Sequence, residues 1–117
     1  MSDQASSQTL GFVGLGVMGE AMCRNLAKKS GMPVLAFDLR PEPLQRLSAD
    51  GIESAMSLAD LAERAGIIFM SLPGEPQVRA VAQGADGLLA RMRAGQTLID
   101  TSTCPVTLRG NWRRRRR

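Results

Sequence analysis

Apolar residues gather in short runs, and each run gives way within a few positions to a helix-like pattern. Leu10–Val13, Val34–Phe37, Gly66–Ser71 and Thr97–Asp100 predict strands, and Ile52 opens a shorter one. The Gly66–Ser71 run does not alternate polar with apolar, so both its faces should be covered, as in a parallel sheet between helix layers. Val17 to about Lys29 predicts a helix with an apolar stripe of Met18, Met22 and Leu26 beside Ala21 and Cys23. Lys28 and Lys29 suit the negative end of its dipole, and Gly31 can close it. Pro41 to about Ala49 predicts a second helix, with prolines only in its first turn and Gly51 as its stop. Ser57 caps a third through Ala65, with Asp60 in place of the usual capping Glu. After the Pro73-Gly74 break come helices over Glu75–Gln83 and Leu88–Arg93, the last closed by Gly95.

Strands that alternate with helices at this spacing predict an open, mostly parallel α/β sheet. Right-handed crossovers from the first strand give the doubly wound order 3-2-1-4-5. Ligands in such sheets bind beyond the carboxyl ends of the strands, where the order reverses, here between strands one and four. The Gly14–Gly19 turn, Asp38, Ser71-Leu72-Pro73 and Asp100–Thr103 all come directly after strand ends, so they should share one rim.

The turn has the spacing G-x-G-x-x-G directly between a strand and a helix, the Rossmann-type fingerprint for a dinucleotide. Gly14 allows the sharp turn, Gly16 lets the backbone lie against a pyrophosphate, and Gly19 lets the helix pack close to the sheet. Free N–H groups and the positive dipole end at a helix start attract the phosphates. Asp38 stands about 20 residues on, where a carboxylate accepts hydrogen bonds from the adenosine ribose; its bland alternative is a turn or capping Asp. The same carboxylate repels a 2′-phosphate, so NAD is favoured over NADP, although Arg40 could contact a phosphate or stack on adenine. Leu72-Pro73 could simply end a buried strand, and Ser102-Thr103 could simply cap the next element.

Composition narrows the setting. The 117 residues make one domain with a real core. Aromatic content of 3% makes that core aliphatic. No apolar run approaches the roughly 20 residues of a membrane span. The leader Met1–Thr9 has neither a basic nor an apolar region, so it does not read as a signal peptide. Cys23 and Cys104 are far apart and form no metal-like cluster, which predicts reduced thiols in a cytoplasm. The net charge of +4 belongs to the tail: residues 1–108 carry nine basic and eleven acidic side chains, and residues 109–117 add six arginines. Nucleic acid is therefore expected to meet this chain only non-specifically, through those arginines.

Hydride transfer between a carbonyl and an alcohol needs a proton donor or acceptor beside the reacting oxygen. This chain has no His and no Tyr, and Lys28 and Lys29 lie at the far end of the first helix from the rim. Cys104 has no histidine to activate it. No catalytic residue is assigned.

Phe12-Val13-Gly14-Leu15-Gly16-Val17-Met18-Gly19-Glu20-Ala21-Met22-Cys23-Arg24-Asn25-Leu26 resembles the N-terminal signature of the β-hydroxyacid dehydrogenases. These include 3-hydroxyisobutyrate dehydrogenase, tartronate semialdehyde reductase, L-threonate dehydrogenase and, more distantly, 6-phosphogluconate dehydrogenase. Ser71-Leu72-Pro73 and Asp100-Thr101-Ser102-Thr103-Cys104-Pro105 resemble two further family segments, the second with one residue fewer before its proline. The resemblance covers roughly residues 10–108 and implies an NAD(P)-binding domain there, between a polar leader (1–9) and a basic tail (109–117). It implies that the backbone of Gly14, Leu15, Gly16, Val17, Met18 and Gly19 binds the pyrophosphate and that Asp38 holds the ribose. It implies that Leu72 and Pro73 line the nicotinamide side, with Gln77 near the same cofactor. Thr103 would contact the cofactor, and Ser102 would lie close to the carboxylate of a small hydroxyacid substrate. Relatives with Asn-Arg-Thr after the second strand tend to take NADP; Asp38-Leu39-Arg40 departs from that and supports NAD.

The family continues with a Gly-Gly substrate loop, a helix carrying a catalytic Lys and an all-helical second domain. Here Leu108 gives way to Arg109-Gly110-Asn111-Trp112 and five arginines. That change resembles a truncated or frameshifted reading frame, which would leave a catalytically incomplete piece of a dehydrogenase. The alternative is a non-catalytic nucleotide-binding module with a natural basic tail, solvated and disordered, that binds polyanions. The oligomeric state is left open.

Overall fold

The computed structural model describes residues 8–83, 87–101 and 114–115. In chain order they form β1 (Leu10–Val13), α1 (Val17–Ser30), β2 (Val34–Phe37), α2 (Pro41–Ser48), β3 (Glu53–Ser54), α3 (Leu58–Arg64), β4 (Ile67–Met70), α4 (Glu75–Gln83), α5 (Leu88–Arg91), β5 (Thr97–Asp100) and β6 (Arg114–Arg115). The strands lie in the order β3-β2-β1-β4-β5-β6. Every pairing is parallel. The first five strands stand in the predicted order, and β1 is at the centre, with Phe12 facing Ala36 on one side and Phe69 on the other.

Alternate side chains of these strands feed two cores, one on each face, which is the physical meaning of a doubly wound sheet. Leu10, Phe12, Val34 and Ala36 pack with Leu15, Cys23, Leu47 and Ile52, toward α1 and α2. Val13, Leu35, Ile68, Met70 and Leu98 pack with Leu61, Ala62, Val78, Ala82 and Leu88, toward α3, α4 and α5. Both are aliphatic apart from Phe12, Phe37 and Phe69, and the rings of Phe12 and Phe69 stack with centroids 6.1 Å apart. Cys23 is fully buried, and burial pushes its thiol up to about 12, so it is protonated and behaves as a small core residue.

Local signals set most element ends. Gly31 takes φ 69° and closes α1. The Ser57 hydroxyl accepts from the Asp60 N–H at 3.1 Å, and Asp60 reaches back to the Met56 N–H at 3.0 Å, an offset form of the expected capping pair. Two expectations are corrected. The helix expected to reach Arg93 stops at Arg91, because Met92 turns extended with ψ 151°. Beyond it the Gln96 amide accepts from the Arg93 N–H and donates to the Ala62 and Ala65 carbonyls at 2.5 and 2.7 Å. Those bonds fasten the entry to β5 onto the end of α3, a tertiary link that outweighs helix propensity. Arg114 and Arg115, in the tail for which the alternative reading implied disorder, form β6 and pair with Leu98 and Ile99. An edge strand offers a row of unpaired backbone groups, and an extended segment of any composition can satisfy them.

Among the described residues no helix is long and apolar enough to cross a membrane. No group of three or more His, Cys, Asp or Glu among them could hold a metal ion.

One polar feature ties the first layer together. Glu20, 9% exposed, accepts two bonds from the Arg46 guanidinium (2.9 and 2.8 Å) and one from Arg24 (3.0 Å). Arg24 also reaches Asp50 at 2.7 Å, so α1 is linked to both α2 and the turn beyond it. The Arg46 bonds, opposed by burial and aided by Arg24, hold the Glu20 carboxyl down at about 2, against an ordinary 4.5. A lowered folded-state value means the contribution is present above pH 4.5 and is lost as pH falls from there toward 2. Glu20→Gln should therefore lower stability near neutral pH by about 1 kcal/mol, since both arginines keep access to water. It should also flatten the loss of stability between pH 4.5 and 2, measured by thermal melts across that range. An unchanged acid limb would remove Glu20 from this role.

Candidate functional site

The carboxyl ends of β1, β2 and β4 open into a cleft of about 770 Å³, at the point where the strand order reverses. Its geometry begins with two glycines. Gly14 has φ 98°, and a Cβ there would overlap the Ser71 carbonyl; a Cβ on Gly19 would overlap the carbonyl of Gly14. The chain thus leaves β1, turns against the end of β4 and starts α1 almost in contact with the turn. Gly16 differs, because a Cβ on it would meet nothing within 4 Å. It is the N-cap of α1 and makes no side-chain cap bond. The first-turn N–H groups of α1 are the unsatisfied donors of a helix start, and the backbone before them is bare on the cleft side.

Opposite stands the end of β2. Asp38 Oδ2 accepts the Leu15 N–H at 2.7 Å, and Oδ1 accepts the Arg40 N–H at 2.9 Å and the Arg40 Nε at 3.2 Å. Burial works against the Asp38 charge. The bonds from Arg40 and Leu15 outweigh it, so the carboxyl lies below its ordinary value and is ionised at neutral pH. Arg40 Nη2 closes a ring by donating to the Leu15 carbonyl at 3.0 Å.

Gly14, Leu15, Gly16, Met18, Gly19, Asp38, Leu39, Arg40, Leu72, Pro73 and Gln77 all line this one cleft. Val17 does not; its side chain is 91% exposed on the first turn of α1. Ser102, Thr103 and Cys104 lie outside the described residues. Phe37, Leu58, Ala80 and Val81 were not anticipated and also form the wall. Ala80 and Val81 stand three and four positions after Gln77, so α4 turns all three to one side; that spacing was the available signal. Leu58 carried none beyond its place after a capping serine.

The arrangement can receive an elongated, anionic, hydroxyl-bearing ligand. A bare helix start takes phosphate, an ionised carboxylate takes sugar hydroxyls, and an apolar wall takes flat rings. The model of the NAD-binding domain of 6-phosphogluconate dehydrogenase matches residues 9–115. This chain belongs to that family. Rat mitochondrial 3-hydroxyisobutyrate dehydrogenase is 39% identical over 99 residues, covering 85% of this chain and 29% of that protein. The structure of 3-hydroxyisobutyrate dehydrogenase from Mycobacterium tuberculosis with L-serine superposes with a TM-score of 0.73 at 31% identity, covering 83% of this chain and 32% of the other. A structure of a protein in complex with NADP+ and 2-OPP gives 0.76 at 35% identity, over 80% and 33%. The chain therefore spans about a third of the length of these relatives. It has the fold and residues of the NAD(P)-binding domain of 3-hydroxyisobutyrate dehydrogenase-like oxidoreductases, within the β-hydroxyacid dehydrogenases.

The glycines separate two kinds of effect. Gly14→Val should cost more than about 3 kcal/mol, from a strained φ and overlap with backbone, and should leave little folded protein. Gly16→Val should melt within about 2 °C of the parent, because the site is open, yet lose NADH binding. Thermal melts with a fluorescence titration check both; a Gly16→Val protein that still binds NADH would show that the cofactor does not approach this backbone.

Proposed function

We propose that this domain binds NAD in preference to NADP, as the cofactor half of an oxidoreductase acting on the CH–OH group of a small β-hydroxyacid. The observation that carries this reading is the ionised Asp38, hydrogen-bonded to the glycine turn across the same cleft as the bare helix start. A carboxylate held in its charged form accepts ribose hydroxyls and repels a 2′-phosphate. Gly14–Gly19 cradle the pyrophosphate, Asp38, Leu39 and Arg40 take the adenosine end, and Leu72, Pro73 and Gln77 take the nicotinamide side. Thr103 and Ser102 keep the roles the family resemblance implies, toward cofactor and substrate. Bound nicotinamide supplies a hydride acceptor or donor. The hydroxyacid class rests on the names of the relatives, two of which are 3-hydroxyisobutyrate dehydrogenases. Reduced thiols in a cytoplasm complete the proposal; the rat relative is a mitochondrial protein.

Among the described residues, the lining of this cleft holds no His, Tyr or Lys. The chain has no His or Tyr, and Lys28 and Lys29 occupy the last turn of α1, more than about 15 Å along the helix from its start. The expected behaviour is cofactor binding without turnover. NADH should bind at least about tenfold more tightly than NADPH, equivalent to about 1.4 kcal/mol, by fluorescence titration of the 117-residue chain. Neither 3-hydroxyisobutyrate nor L-threonate should be oxidised by the pure protein. Tighter binding of NADPH would overturn the NAD preference, and steady turnover would overturn the missing proton relay.

A further inference from the structure

We infer that Arg40 is a positioning residue that locks the glycine turn to the end of β2, rather than a ligand for a 2′-phosphate. The inference rests on the proposed cofactor reading of this cleft and sharpens the part of Arg40, which that reading places only at the adenosine end. Both backbone groups of Leu15 are held from the β2 side: its N–H by Asp38 Oδ2 at 2.7 Å and its carbonyl by Arg40 Nη2 at 3.0 Å. The same guanidinium holds Asp38 Oδ1 through Nε at 3.2 Å. Leu15, Asp38 and Arg40 thus form a closed ring that joins two loops 23 and 25 residues apart in sequence. The planar guanidinium serves the carboxylate through Nε and the carbonyl through Nη2 at once, in a fixed relative geometry.

Two consequences separate this role from that of a phosphate ligand. First, a 2′-phosphate could engage the fork only if Arg40 released the Leu15 carbonyl or Asp38. That release would loosen the turn whose bare backbone receives the pyrophosphate. Second, a carboxylate offers about four acceptor positions, and bonds from Leu15 N–H, Arg40 N–H and Arg40 Nε occupy three of them. Arg40 therefore fixes how Asp38 is presented and leaves Oδ2 the oxygen with room for a further donor. Preorganisation of this kind acts on every dinucleotide that uses the turn, phosphorylated or not.

The test compares the 117-residue chain with Arg40→Met and Arg40→Lys. Arg40→Met keeps the stem and removes the fork; Arg40→Lys keeps a charge on one nitrogen, without the two separately placed nitrogens of the fork. Kd values for NADH and NADPH are measured alongside melting temperatures and the carboxyl titration of Asp38, monitored by carbon-13 NMR. For a positioning residue, Arg40→Met weakens NADH and NADPH by the same factor, about tenfold. Arg40→Lys recovers only part of that loss, and the Asp38 midpoint moves up toward its ordinary value in both variants. The inference is overturned if NADH binding is unchanged while NADPH alone weakens, or if the Asp38 midpoint stays where it is. The titration needs no cofactor. A parent chain that fails to bind NADH would sink the cofactor reading while the Asp38 midpoint still reports on the ring.

Discussion

The structure depends on one steric constraint, the absence of side chains at Gly14 and Gly19. Gly14 turns against the Ser71 carbonyl, and Gly19 seats the first turn of α1 on the carbonyl of Gly14. Because both approaches are closer than any Cβ permits, α1 begins at the strand end rather than several residues beyond it. That places an uncapped helix start directly over the reversal point of the sheet. The cleft and the short connection from β1 to α1 both result from it. Gly11 makes the same kind of contact inside the sheet, where a Cβ would lie 2.8 Å from Leu61 Cδ2 and 2.9 Å from Ala65 Cβ. The central strand is thus cut close on the α3 side as well as at its end.

Two ionised carboxylates use this frame differently. Glu20 is gripped by Arg46 and Arg24 at the seam between α1 and α2, and its role is structural. Asp38 is held largely by backbone N–H groups and one guanidinium, with its charge facing a cleft. Both values are lowered, but by different partners: side-chain fork against carboxylate for Glu20, and mainly backbone bonds against burial for Asp38. A carboxylate whose partners are fixed backbone groups keeps its position when a ligand arrives, whereas one held by long flexible side chains would rearrange. The distinction explains why the chain places its cleft-facing charge at a strand end.

Much of this was legible in the sequence, and the physical reason is locality. The strand runs, the glycine spacing and the Asp about 20 residues on are consequences of short-range rules, so β1, α1, β2 and the cleft residues they carry could be read directly. The strand order came from crossover handedness. Long-range bonds between side chains and backbone escaped reading. Gln96 stops the helix before β5 by bonding α3 more than 30 residues earlier, and Arg46 meets Glu20 across 26 residues. The Arg24 and Glu20 pair, four apart on one helix, was visible but gave no hint of the second arginine. The pairing of Arg114 and Arg115 with β5 was hidden by composition, because a run of arginines reads as solvated whatever edge lies nearby.

The same locality sets what this domain can do. Holding a dinucleotide needs backbone donors, one carboxylate and an apolar wall; the β1-α1-β2 crossover supplies the first two, and Leu58, the loop after β4 and α4 supply most of the wall. Proton transfer needs a titratable group placed beside the reacting atom. In this chain the lysines sit at the opposite pole of α1, and the carboxylates nearest the glycine turn are committed, Asp38 to Leu15 and Arg40, Glu20 to its arginines. Met18, 68% exposed, and Leu39, 92% exposed, lie on the lining of the cleft. A site walled on the protein side by packed helices and edged by bare apolar side chains keeps water out of its interior only when something covers the edge. Cofactor affinity and chemical competence are therefore separable in principle: the first is built into the turn, and the second requires a proton-transfer group beside the reacting atom.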